Sequence, residues 1–114
     1  MANITQRPWG TYQILIEEQN YKVKKIVVNP HSRLSLQSHK YRNEHWIIVE
    51  GQATITLNDK TINANIGEHI YINALDRHRI SNFTDNVIVF IEIQTGTYLG
   101  EDDIVRYEDD YGRK

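Results

Sequence analysis

Cysteine is absent from this 114-residue chain, which excludes disulfides and any metal site built on thiolates. A metal here has to be held by imidazole, carboxylate or amide groups. Long apolar runs are missing as well. None approaches the ~18–20 residues that a membrane-spanning helix needs, and Met1–Thr5 lacks the basic-then-apolar pattern of a signal peptide. A soluble, cytoplasmic chain with no membrane partner is the expectation. An excess of positive charge is also lacking: the formal net charge is -2, where a nucleic-acid binder normally carries a basic face. Helical periodicity is nearly absent, and a chain of this length has room for one domain, residues 1–114.

The chain instead carries short runs rich in Val, Ile, Thr and Tyr, set apart by turn residues. Strands are expected near Thr11–Ile16, Tyr21–Val28, Arg33–Ser38, Glu44–Glu50, Ala53–Asn58, Glu68–Ile72, Arg77–Asn82 and Val87–Gln94. The intervening punctuation includes Asn29-Pro30, Glu50-Gly51, Asn58-Asp59 and Ile66-Gly67. Short strands with tight connections predict an all-β fold, either a closed barrel or a two-sheet jelly roll. From Arg33 to Tyr41 the polarity alternates, with Leu34 and Leu36 opposite Ser35, Gln37 and His39. The strand ending at Gln94 is apolar on both faces until Glu92 and Gln94, on the side of Phe90. Two polar stripes on buried strands predict a polar pocket inside the barrel. The tail, 100–114, is rich in Asp and Glu, cannot be a core strand, and is expected to pack near the barrel mouth.

Two blocks carry the candidate chemistry: 37–46 followed by Gly51, and Gly67 followed by His78 and Asn82. They resemble the two motifs of the cupins. In the second, Asn73 replaces a proline and Leu75 the inner glycine; in the first, Arg33 stands for a glycine and Tyr41 for the second histidine, with one residue fewer before Glu44. A narrower resemblance runs from Arg7 to Arg113. The stretches Arg7-Pro8-Trp9-Gly10, Leu34-Ser35-Leu36-Gln37, Arg42-Asn43-Glu44-His45-Trp46 and Gly100-Glu101-Asp102-Asp103-Ile104 are similar, in order and spacing, to the type II mannose-6-phosphate isomerases. These usually form the C-terminal cupin half of bifunctional mannose-1-phosphate guanylyltransferases. No glycine-rich nucleotide-binding stretch accompanies them here, so nucleotidyl transfer is not expected.

The resemblance implies a single-domain cupin that interconverts mannose 6-phosphate and fructose 6-phosphate through a cis-enediol. It implies one divalent metal ion on Gln37, His39, Glu44 and His78, with Zn²⁺ the first choice and Co²⁺, Ni²⁺ or Mn²⁺ as alternatives. A Lewis acid there would stabilise the enediolate charge. Arg106 is the candidate phosphate or enediolate contact and Glu92 the candidate proton shuttle. Lys24, Arg33 and Tyr41 are candidate substrate contacts, although a phenol with a pKa near 10 is a poor metal ligand at neutral pH. His45 reads as packing or surface, His31 and His69 as exposed, and Trp9 and Trp46 as core or dimer-contact residues. A homodimer is expected, because an isolated sheet edge invites pairing. The alternatives are a non-catalytic module that binds a sugar or sugar nucleotide beside a separate guanylyltransferase chain, and a metal-free nucleotide-sugar epimerase. The metal quartet speaks against the epimerase.

Overall fold

In the computed structural model, which describes residues 3–113, the polypeptide forms two antiparallel sheets and, among the described residues, no helix. Met1, Ala2 and Lys114 lie outside the described residues. The strands are β1 (Ile4–Arg7), β2 (Gly10–Glu17), β3 (Tyr21–Val28), β4 (Ser32–Arg33), β5 (Leu36–Ser38), β6 (Arg42–Glu50), β7 (Ala53–Leu57), β8 (Lys60–Ala64), β9 (His69–Ile72), β10 (His78–Asn82), β11 (Ile88–Gly96) and β12 (Val105–Glu108). One sheet runs β1-β2-β3-β11-β6-β9; the other runs β12-β5-β10-β7-β8, with β4 also on β10. This is the expected all-β jelly roll.

The expected strand Arg33–Ser38 is broken between β4 and β5. There the Leu34 carbonyl leaves the ladder to accept a 2.8 Å bond from the Arg79 guanidinium, a partner that β-periodicity cannot anticipate. Three further strands, β1, β8 and β12, form where the sequence pattern is weak. β8 pairs β7 across a two-residue turn, Asn58-Asp59, with Asn58 at φ 53°, the conformation that a tight hairpin demands and Asn tolerates. In the tail, β12 is an edge strand on β5, not a core strand.

The position of the site follows from where the inward-facing residues change character. Ile88 lies opposite Val28, and Phe90 lies between Ile26 and Ile48, all buried. One rung further Glu92 lies between Lys24 and Trp46, and the next places Gln94 between Lys22 and Glu44. β3 and β11 thus switch from apolar to polar at the level of Glu92, and β6 follows one rung later at Glu44. The barrel has a dry end, with Trp9, Ile55, Ile80 and Phe90 in one cluster, and a polar end in which Lys24, Arg42, Glu44, Glu92 and Gln94 are all buried. Buried charges are costly unless they are paired, so this end of the barrel is built for something other than stability.

Candidate metal centre

His39 follows the end of β5, Glu44 lies near the start of β6 and His78 opens β10. Donor atoms of the three lie within 4.8 Å of one another, and all three residues are buried. The His39 Nδ1 atom lies 2.7 Å from the Asp103 carbonyl, and the His78 Nδ1 atom 2.9 Å from the Asp76 carbonyl. A carbonyl only accepts, so each Nδ1 donates, and each ring turns its Nε2 toward Glu44. Those nitrogens lie 3.2 Å and 3.9 Å from the two Glu44 oxygens. Imidazoles tied at Nδ1 with Nε2 turned toward a carboxylate are the arrangement that metal-binding histidines adopt, so these residues fit a divalent cation. Gln37 lies beside His78 in the ladder and lines the same chamber. Its amide nitrogen donates to Ser35 Oγ at 3.2 Å.

The carboxylate is held by more than the histidines. Arg42 Nε donates to Glu44 Oε2 at 2.8 Å and Trp46 Nε1 donates to Oε1 at 2.9 Å. Burial alone would push the Glu44 carboxyl up, but His78, Arg42 and His39 outweigh it and hold its pKa at about 2. Burial, aided by Arg42 and His78, pushes the His39 imidazole down to about 4, so it is neutral and able to ligate near pH 7.

The loops carrying the two histidines are joined, since the Leu75 N–H donates to the His39 carbonyl at 2.7 Å. Leu75, which stands where the second cupin motif has glycine, sits at φ 75° with its side chain exposed. A Cβ in that left-handed region costs roughly 1–2 kcal/mol, partly offset by the entropy glycine loses on folding. Leu75→Gly is therefore expected to stabilise the fold by about 0.5–1 kcal/mol, read from chemical denaturation; a loss of stability would show that the strain is not there.

A small cleft of about 130 Å³ opens beside the triad. It shares Leu34, Gln37, Arg42 and Glu92 with the inner chamber that holds His39, Glu44 and His78. Its wall also carries Arg7, Lys24, Arg106 and Arg113, a cationic lining suited to an anion. Arg106 lies beside Gln37 on the β12–β5 ladder, and its Nε is buried with no hydrogen-bond partner. Burial, then the charges of Arg113 and Arg7, lower its proton affinity, partly offset by Asp109, which pairs with Arg113. Lys24 pairs with Glu101, whose carboxylate also approaches Lys22 and Arg42.

Glu92 lies between the triad and this cationic wall. Burial, reinforced by the Glu44 charge, pushes its carboxyl up to about 7, and Gln94 Nε2 donates to it at 2.5 Å. The folded state thus holds a proton on Glu92 that the unfolded chain releases near pH 4.5. Stability from this group is present below that pH and is lost as pH rises toward 7. In chelator-treated protein, Glu92→Gln, which cannot ionise, is expected to gain several degrees in Tm over wild type at pH 8 and little at pH 5, at ~4–8 °C per kcal/mol for a domain of this size. An equal difference at both pH values would refute a buried, neutral Glu92.

Two of the sequence candidates lie elsewhere. Arg33 pairs with Asp110 through bonds of 2.7 and 3.0 Å and lines a separate surface pocket with His31 and Phe83. The Tyr41 ring is half-exposed against Tyr98 and Lys40 and lines neither the cleft nor the chamber. Because β5 ends at Ser38, the alternation that put Tyr41 on the face of His39 does not reach it. Lys24, Gln37, Glu92 and Arg106 do line the cleft. Sequence reasoning gave no role to Arg42, Glu101 or Asp103. Arg42 was within reach of the pattern, having the parity of Glu44 and Trp46; Glu101 and Asp103 are placed by the docking of the tail, which leaves no periodic signal. His31 and His69 are exposed, and His45 packs against His69 and Tyr71 on the outside of the barrel.

The family description "Mannose-6-phosphate isomerase C-terminal" matches residues 1–109. The xanthan biosynthesis protein XanB of Xanthomonas campestris is 46% identical over 107 residues, covering 94% of this chain and 23% of its own. The alginate biosynthesis protein AlgA of Pseudomonas aeruginosa is 47% identical, with 94% and 22% covered. Mannose-1-phosphate guanylyltransferase 2 of Escherichia coli O157:H7 is 43% identical over 105 residues, with 92% and 22% covered. The chain therefore spans less than a quarter of these relatives. Among solved structures, the capsular polysaccharide assembling protein CapF of Staphylococcus aureus superposes with a TM-score of 0.80 at 18% identity, over 95% of this chain and 32% of its own. A cupin-2 domain from Rhodospirillum rubrum gives 0.76 at 13% identity, over 90% and 78%. These likenesses show the cupin fold.

Proposed function

The chain belongs to the mannose-6-phosphate isomerase C-terminal family, and from that premise we propose that it interconverts mannose 6-phosphate and fructose 6-phosphate through a cis-enediol. The observation that carries the proposal is the joining of a His-Glu-His triad and a cation-lined cleft, with a carboxyl whose pKa is raised to about 7 lying between them. His39, Glu44 and His78, with Gln37, would hold one divalent ion, Zn²⁺ first. When bound, such an ion supplies Lewis-acid stabilisation of negative charge on the sugar oxygens.

The remaining work falls to the chain's own side chains. Arg106, with Arg7 and Arg113, binds the phosphate; an anion there would satisfy the buried Nε and relieve the like-charge crowding. Lys24 stands beside Glu92 on β3 and steers the substrate toward it. Glu92 carries the proton between C2 and C1. A carboxyl with a pKa near 7 is suited to taking and returning a proton at neutral pH. The homodimer belongs to the same proposal, because β1, β9, β8 and β12 leave open sheet edges.

One observation favours the non-catalytic reading. The Arg42 guanidinium lies 2.8 Å from Glu44 Oε2 and 3.2 Å from His39 Nε2, so it satisfies two of the proposed ligands unaided. A sugar- or sugar-nucleotide-binding module would need no more than that. Elemental analysis with a coupled assay for fructose 6-phosphate separates the two readings. The isomerase predicts about one metal per chain, activity lost on chelation and restored by metal; a chain that binds sugar phosphate without converting it is a binding module.

A further inference from the structure

β5 ends at Ser38, so the residues that carry His39 into the site have left the sheet ladder. The Leu75 N–H meets the His39 carbonyl, and three further hydrogen bonds come from a single residue 60-odd positions later in the tail. The Asp103 carbonyl accepts from His39 Nδ1 at 2.7 Å; its carboxylate accepts from the Lys40 N–H through Oδ1 and from the Tyr41 N–H through Oδ2, each at 2.9 Å. One residue thus fixes both the ring plane of His39 and the backbone that carries it. The tail is anchored independently of this contact, by β12 on β5 and by Arg79, which binds the Glu108 carboxylate at 3.1 Å and its carbonyl at 3.3 Å. It therefore offers Asp103 as part of a docked element, not as a passing loop contact.

We propose that Asp103 is a positioning residue for the metal ligand His39, and that docking of the tail and metal binding stabilise one another. The proposal rests on the metal-site reading above and deepens it. The carboxylate clamps the loop so that the Asp103 carbonyl meets Nδ1, which sets the tautomer and aims Nε2 at the other donors. Partners of this kind that orient a ligand histidine are worth ~10–100-fold in metal affinity. Because coupling is reciprocal, the ion must tighten the clamp by the same factor by which the clamp tightens the ion. Asp102 provides an internal control: it has the same charge one residue away, but its carboxylate accepts from the Tyr98 hydroxyl and not from the His39 loop.

The test is Zn²⁺ affinity by competition with a chromophoric chelator, paired with amide exchange at Lys40 and Tyr41 with and without metal. Asp103→Ala is expected to weaken Zn²⁺ binding by ~10–100-fold and Asp102→Ala by less than about twofold. Zn²⁺ should slow exchange at Lys40 and Tyr41 in wild type and in D102A but not in D103A. Asp103→Asn keeps one acceptor oxygen and is expected to fall between, and it carries the test if D103A does not fold. A folded D103A or D103N with wild-type affinity overturns the proposal while leaving the metal site standing, and so does an equal loss in D102A. A wild-type chain that binds no Zn²⁺ removes the site and the proposal with it.

Discussion

Replacing Arg106 by alanine is expected to cut the conversion of mannose 6-phosphate by ~10²–10³-fold, the usual cost of losing one preorganised charge-stabilising donor, without weakening the fold. The two halves of that result have one cause. Arg106 is held with its Nε buried and unpartnered, and its charge is disfavoured by burial and by Arg113 and Arg7. In the free protein such a group is a liability, so removing it should leave Tm unchanged or slightly raised. On the proposed function, a bound phosphate dianion would turn the same crowding into binding energy. An ordinary surface arginine would change stability by at most ~0.5 kcal/mol and turnover not at all. Steady-state rates at matched metal occupancy, with thermal melts of the free proteins, make the comparison. Equal turnover would show that Arg106 has no part in the chemistry.

Removal of Glu44 is expected to have the largest effect on the protein itself. Glu44 is buried, and its carboxylate accepts from Arg42 and Trp46 besides facing both histidines. Glu44→Ala would leave the buried Arg42 charge with only the longer approach of Glu101 at 3.7 Å, and breaking a buried pair from one side costs about 3–5 kcal/mol. Small domains have only ~5–15 kcal/mol in total, so this variant should be on the edge of unfolding and should bind no metal. His78→Ala separates the two effects. It should lose more metal affinity than the ~10–100-fold attached to outer partners while the metal-free barrel melts close to wild type, because no buried charge is stranded. If E44A melted like H78A in chelator, the Arg42–Glu44 pair would not be the structural keystone described here.

Much of the barrel was legible because a strand writes its burial into every second residue. β3 and β6 show it most clearly, alternating strictly between buried and less buried positions over most of their length. The polar end of the barrel could be inferred from Glu92 and Gln94 for the same reason. What the pattern could not carry were contacts made by side chains across the fold. Arg79 breaking the Arg33–Ser38 strand, and Asp103 reaching the His39 loop, are of this kind. Arg33 shows the converse: as a basic residue it reads as a candidate substrate contact, but Asp110 from the tail takes its guanidinium away. The three triad residues were assigned by resemblance, and the structure brings their donors within 4.8 Å. Tyr41 stands where that resemblance has a histidine, and it lies outside the cleft.

On the proposed function, Glu92 moves a proton between C2 and C1 of a hexose phosphate beside this triad. Incubating Zn²⁺-loaded protein with mannose 6-phosphate in D₂O and following the sugar by proton NMR tests it most directly. The expected result is fructose 6-phosphate together with loss of the C2 proton signal from recovered mannose 6-phosphate, both abolished by chelator and by Glu92→Gln. Full metal occupancy with saturating substrate, no ketose and an undiminished C2 proton signal would contradict it.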